Sequence, residues 1–137
     1  MINFIYGKKG SGKTKKMIDL ANKAVDETLG KVVFVDDNRA RMFDLKHSIR
    51  LISTDDYDLD GPDFFMGFLT GIIAADFDTT SIFVDSFLTL SGKNVNELDD
   101  ILKKLERLCA KNNVKMVISI SAAVEDLPEY IKQRTIS

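Results

Sequence analysis

The chain has a single cysteine, no excess of charge of either sign and no long apolar run, and each absence removes a class of protein. Cys109 has no partner for an internal disulfide, which suits a reducing compartment. It falls on the apolar stripe of a predicted helix and reads as core. Basic and acidic residues number 19 and 21, so the net charge is -2 and the pI about 5.4. No overall positive field draws in nucleic acid or an anionic membrane, and any such contact would have to be local. No window approaches the roughly eighteen uninterrupted apolar residues of a membrane span. The nearest, Phe64 to Ala75, is broken by Gly67, Thr70 and Gly71 and reads as a buried helix. The start, Met1 to Tyr6, lacks the charged opening and long apolar stretch of a signal peptide, so a cytoplasmic protein is expected. Repeats, linkers and low-complexity segments are also missing. At 137 residues and 45% apolar content, the sequence fits one domain, 1–137, around one sizeable core.

What is present alternates between two periods. Residues 2 to 6 form a short apolar run, and Met17, Ile18, Ala21, Ala24, Val25 and Leu29 then recur at helical spacing over Lys13 to Leu29, with Gly30 as the expected stop. Lys31 to Val35 is a continuous β-branched strand of the kind covered on both faces, and it ends in Asp36, Asp37 and Asn38. After an unpatterned stretch, 39 to 48, residues 49 to 53 read as a third strand. The acidic loop Asp55 to Asp60 follows and should be solvent-exposed. Gly61-Pro62-Asp63 opens a helix to about Asp76. Ser81 to Asp85 is a fourth strand, Asn96 to Lys111 an amphipathic helix, Val114 to Ser121 a fifth strand, and Leu127 to Gln133 a last short helix. Strands alternating with helices predict right-handed crossovers and a parallel sheet between helical layers.

Between the first strand and first helix lies Gly7-Lys8-Lys9-Gly10-Ser11-Gly12-Lys13-Thr14, a complete G-x-x-x-x-G-K-[ST] in the strand-to-helix context its mechanism requires. Gly7, Gly10 and Gly12 let the backbone curl with N–H groups inward, where they and the helix N-terminus meet phosphate oxygens. Ser11 lies within the curl. Lys13 is expected to reach the β- and γ-phosphates, and Thr14 to give a hydroxyl to a magnesium ion. Lys8, Lys9, Lys15 and Lys16 either help to hold phosphate or are simply solvated. A second metal-facing group is expected at the end of a buried strand, and Asp85 after Ile82-Phe83-Val84 meets that description, although an aspartate there also serves as a helix N-cap.

With these residues in hand, the chain resembles the RecA-like branch of P-loop NTPases, which includes the RecA recombinase, the DnaB helicases and the KaiC proteins. Beyond the P-loop the likeness lies in Val32 to Asn38, in Ile49 to Ser53 with the helix from Gly61 to Asp76, and in Ser81 to Leu90 followed by the charged helix and Val117 to Ser121. The resemblance implies a three-layer α/β/α sandwich with a mainly parallel five-stranded sheet in the order 3-2-4-5-1, and Mg-ATP as ligand. In that family a glutamate near the end of the second strand polarises water, and a polar residue, often glutamine, ends the strand after the magnesium acid. Here those places hold Asp36, Asp37 and Asn38, and Ser119, Ser121 and Ala122. Asp36 or Asp37 would be the water-activating carboxylate, one methylene short, or else a turn or helix cap; hydrolysis is therefore expected to be slow or partner-dependent. The order 3-2-4-5-1 also leaves the first strand as an edge in need of a cover or partner, such as another protein or a second copy of the chain. Arg134 is either a finger toward a neighbouring nucleotide or a solvent-exposed arginine, and His47 reads as a surface residue.

Three functions follow from this reading: a RecA-type Mg-ATPase that is weak or acts through a partner, a nucleotide-dependent interaction module that does not hydrolyse, and a small-molecule kinase. The kinase is disfavoured by the lack of an arginine-rich lid segment after the fourth strand. ATP rather than GTP is expected, in the absence of an Asn-Lys-x-Asp guanine-reading motif.

Overall fold

A computed structural model describes residues 1–136. Five strands, β1 (Ile2–Gly7), β2 (Lys31–Asp36), β3 (Arg50–Ser53), β4 (Thr79–Val84) and β5 (Lys115–Ser121), form one sheet in the order β1-β5-β4-β2-β3. All four pairings are parallel. Read from the other edge this is 3-2-4-5-1, the RecA-like order. Among the described residues four α-helices lie between strands, α1 (Lys13–Glu27), α2 (Gly61–Ala75), α3 (Phe87–Ser91) and α4 (Asp99–Asn112), and α5 (Glu129–Gln133) follows the last strand.

Strand alternation divides the core between the two faces. Val33 and Val35, Ile82 and Val84, and Met116, Ile118 and Ile120 point to the side where Phe65, Leu69 and Ile73 of α2, Phe87 of α3 and Leu105 and Cys109 of α4 cover them. Val32, Phe34, Phe83 and Ile5 point the other way, against Met17, Ile18 and Ala21 of α1 and against Leu45 and Ile49. Cys109 is fully buried, as its place on the stripe required.

Several expectations are refined. Helix α1 ends at Glu27, and Gly30 is demanded by close approach rather than by a helix stop, since a Cβ there would lie 2.1 Å from Thr80 Cγ2. Helix α2 buries only the Phe65, Leu69 and Ile73 face; Phe64, Gly67, Thr70 and Gly71 are exposed, so it is a half-buried surface helix. The segment expected to be one helix from Asn96 is a 3-10 turn, Val95–Glu97, closed by a reciprocal capping box between Asn94 and Glu97, followed by α4. Helix α3 was not foreseen, five residues being too few for a period to register.

The β1 edge is not bare. The Phe4 amide donates to the Arg134 carbonyl at 3.0 Å, and the Ile136 amide donates to the Phe4 carbonyl at 2.8 Å. Residues 134–136 thus lie along β1 as a short parallel cover. The Arg134 guanidinium is engaged with Glu106 at 2.7 Å. His47 is exposed.

Candidate functional site

The loop after β1 is shaped by its glycines. Gly10 and Gly12 have φ of 84° and 89°, a region open to glycine and costly for other residues. Gly7 is required for space: a Cβ there would lie 2.3 Å from Ser11 Oγ. The Ser11 amide donates to the Lys8 carbonyl at 3.1 Å, closing the turn, and Lys13 Nζ donates to the same carbonyl at 3.1 Å.

Helix α1 starts against the usual electrostatic preference. Its first turn holds no acidic residue, and no side chain caps its N-terminal amides. Lys13, Lys15 and Lys16 lie instead at the positive end of the helix dipole, where cations are disfavoured. Helix α2 has Asp63 in its first turn and α4 has Asp99 and Asp100, in line with that preference. The start of α1 therefore offers unpaired N–H donors and concentrated positive charge, the two things an anion needs.

A row of polar side chains crosses the carboxyl ends of the central strands on the α1 face. The registers Val35↔Val84 and Val84↔Ile118 make Asp36, Asp85 and Ser119 neighbours one residue further on. All three are buried, with exposures of 5%, 3% and 1%, and Asp36 and Asp85 are the buried carboxylates among the described residues. Ser119 Oγ donates to Asp85 Oδ1, and the Ser86 amide reaches both Asp85 Oδ1 and Ser119 Oγ, at 3.1 and 2.9 Å. Ser86 adopts φ 59° and ψ 41°, a left-handed conformation unusual for serine, which turns its amide back onto this pair. The other Asp85 oxygen, Oδ2, accepts from Thr14 Oγ1 at 2.8 Å.

Asp36 accepts from the Asp37 amide at 2.7 Å. Burial pushes its carboxyl up to about 7, the Asp37 amide opposes this, and the nearby Asp85 charge adds to it. Lys13 is held below its ordinary value by burial, offset in part by attraction to Asp85.

A cleft of about 570 Å³ joins these parts, with Lys9, Lys13, Thr14 and Lys15 on the loop side and Asp37, Arg41 and Asp85 among the residues facing them. Of the residues expected from the sequence, Gly10 and Gly12 line it as well. Gly7, Lys8 and Ser11 shape the loop without lining the cleft, and Asp36 lies behind it. Lys16 turns away, its Nζ donating to the Ile136 carbonyl at 2.9 Å. Arg41, Ser86 and Thr89 also line the cleft but were missed by the sequence reading. Arg41 belongs to the unpatterned stretch, and no periodicity could have pointed to it.

A phosphate chain fits the uncapped helix start and its lysines. A magnesium ion fits the donor set as well: a hydroxyl and a buried carboxylate oxygen already within 2.8 Å of each other are the hard oxygen ligands it takes, the rest coming from phosphate and water. Among the described residues no cluster of three or more His, Cys, Asp or Glu side chains forms a cage that would hold a metal without such help.

No protein-family model matches the sequence, and no curated protein does. Among solved structures the chain is similar to the flagellar accessory protein FlaH from Methanocaldococcus jannaschii, with a TM-score of 0.64 over 96% of this chain at 17% sequence identity. The chain spans 65% of that protein's length. The likeness is one of fold, and it agrees with the RecA-like strand order. Among the described residues no helix is long and apolar enough to cross a membrane.

Proposed function

We propose that this chain binds a nucleoside triphosphate, ATP by family habit, together with magnesium, through Gly7 to Thr14, and that it turns the triphosphate over slowly or only with a partner. The observation that carries this reading is the start of α1: amides left without a side-chain cap, no acid in the first turn, and Lys13 held partly out of water beside them. Without an anion that arrangement is electrostatically unfavourable, and a polyphosphate relieves it.

In this reading Lys13 exchanges the Lys8 carbonyl for phosphate oxygens, and the loop amides take the remaining negative charge. Thr14 and Asp85 would hold magnesium, which when bound neutralises charge developing on the phosphates. Ser119 and the Ser86 amide keep Asp85 oriented with one oxygen toward Thr14. Asp37 is the carboxylate that faces the cleft and is the better candidate to orient water; Asp36 is buried behind it and supports the row.

The slow rate follows from Asp37, whose short side chain stands where the family carries glutamate. The same observation favours a second reading, a module that binds the triphosphate and signals to a partner without turnover. Titration of a fluorescent ATP analogue with and without magnesium tests the shared part. Saturable, magnesium-enhanced binding lost in Lys13→Ala supports it, and no saturable binding contradicts it. Phosphate release then separates the two readings: turnover above roughly one per minute, slow by enzyme standards, that is abolished in Asp37→Asn favours the ATPase.

A further inference from the structure

Two carboxylates line the cleft, Asp85 against Thr14, where the proposed magnesium would offset its charge, and Asp37, which has no such offset and repels a terminal phosphate. One cationic side chain joins them there, the guanidinium of Arg41; the other cations of the cleft, Lys9, Lys13 and Lys15, all belong to the loop and the start of α1.

The segment carrying Arg41 is fastened on both sides of it. Arg39 reaches Asp56 Oδ2 through Nε at 3.1 Å and through Nη2 at 2.5 Å. The Asn38 side chain accepts from the Ala40 amide at 2.8 Å. Beyond Arg41, Asn22 of α1 donates to the Asp44 carbonyl at 2.9 Å and accepts from the Lys46 amide at 2.8 Å, while Lys46 Nζ pairs with Asp26 at 2.8 Å. The backbone at 41 is thus anchored to α1, the same helix whose start carries Lys13 and Thr14. Its side chain is held far more loosely. Among the described residues its guanidinium pairs with Asp44 at 3.6 Å, both partners being about half exposed, a contact of little strength that a better anion displaces.

We infer that Arg41 is the chain's own reader of the terminal phosphate, leaving Asp44 to close on the γ-phosphate of a bound nucleoside triphosphate and thereby distinguishing triphosphate from diphosphate. A guanidinium suits this role because its planar fork binds two phosphate oxygens at once. The inference rests on the triphosphate reading above and adds the residue that makes the site selective for the third phosphate. Asp44 acts as its competitor, holding the arm aside when the terminal phosphate is missing.

The test compares affinities for a non-hydrolysable triphosphate and for the diphosphate, each with magnesium, in the full chain and in Arg41→Ala, Arg41→Lys and Asp44→Asn. The expected result is a wild-type preference for triphosphate that falls about tenfold in Arg41→Ala, with diphosphate affinity within about twofold of wild type, partial recovery in Arg41→Lys, and an equal or larger preference in Asp44→Asn. An unchanged preference in Arg41→Ala, or no preference in the wild type, overturns the inference while leaving nucleotide binding by the P-loop intact. Failure of the wild type to bind either nucleotide overturns the parent reading instead.

Discussion

The Thr14 hydroxyl donates to Asp85 Oδ2 at 2.8 Å, joining the first turn of α1 to the end of β4 across 71 residues of sequence. In the proposed function this contact is where a divalent cation would meet the loop. It also makes a specific demand on residue 14, which must offer an oxygen and not merely fill space.

Thr14→Ser is therefore expected to keep the magnesium enhancement of triphosphate binding, and Thr14→Val to lose it by about tenfold or more, the size of a hydrogen bond to a charged group. Calorimetric titration with and without magnesium checks this. Equal enhancement in Thr14→Val would remove the hydroxyl from the metal site.

Gly7 is limited by Ser11 Oγ, since a Cβ at residue 7 would lie 2.3 Å from that atom. Gly7→Ala alone should distort the loop and weaken nucleotide binding, and the double change Gly7→Ala with Ser11→Gly should restore much of it. Gly12→Ala, at φ 89°, should lose about 1 kcal/mol of stability or more whatever occupies residue 11. Binding and thermal unfolding of the three variants separate the two effects.

Asp36 is expected to make stability depend on pH. Its folded-state value of about 7 lies above the usual 3.8, so between those limits the unfolded chain releases a proton that the folded chain retains. Stability attributable to this group therefore falls as pH rises from about 4 to about 7 and is level above that. Asp36→Asn should flatten that slope and be more stable than wild type at pH 8, by a cost on the order of 2 kcal/mol removed. Denaturant titrations at pH 5 and pH 8 measure it; a wild-type slope retained in Asp36→Asn would assign the dependence elsewhere.

Much of the fold was legible because continuous β-branched runs such as Val32 to Val35 and helical stripes such as Ile101, Leu102 and Leu105 are set by burial, which acts on the sequence locally. The glycine loop was legible for a similar reason, Gly10 and Gly12 answering a local backbone demand and Gly7 a close approach to Ser11. The Asp36, Asp85 and Ser119 row was only half legible: Asp85 marks the end of its strand, but its bond to Ser119 depends on parallel register between β4 and β5, which no local pattern encodes. That β1 would need a cover followed from the strand order, but that residues 134–136 supply it was not legible, because the amide of Ile136 and the carbonyl of Phe4 are backbone groups that meet through tertiary structure. Arg41 escaped for want of any pattern around it.

That cover is itself testable. Ile136→Pro removes the donor that meets the Phe4 carbonyl and should cost about 1 kcal/mol, with a greater tendency to self-associate through the uncovered strand. Denaturant unfolding and gel filtration over a range of concentrations follow both effects. Unchanged stability and elution would mean that the segment contributes nothing to protecting the edge.

The central claim is that the amides between Gly10 and Thr14 enclose a polyphosphate. Backbone amide NMR spectra recorded while a non-hydrolysable triphosphate and magnesium are added test it most directly. The account predicts that the largest, saturable shifts fall on residues 10–14 and are lost in Lys13→Ala; saturating ligand that leaves those amides unmoved, or moves only distant ones, would contradict it.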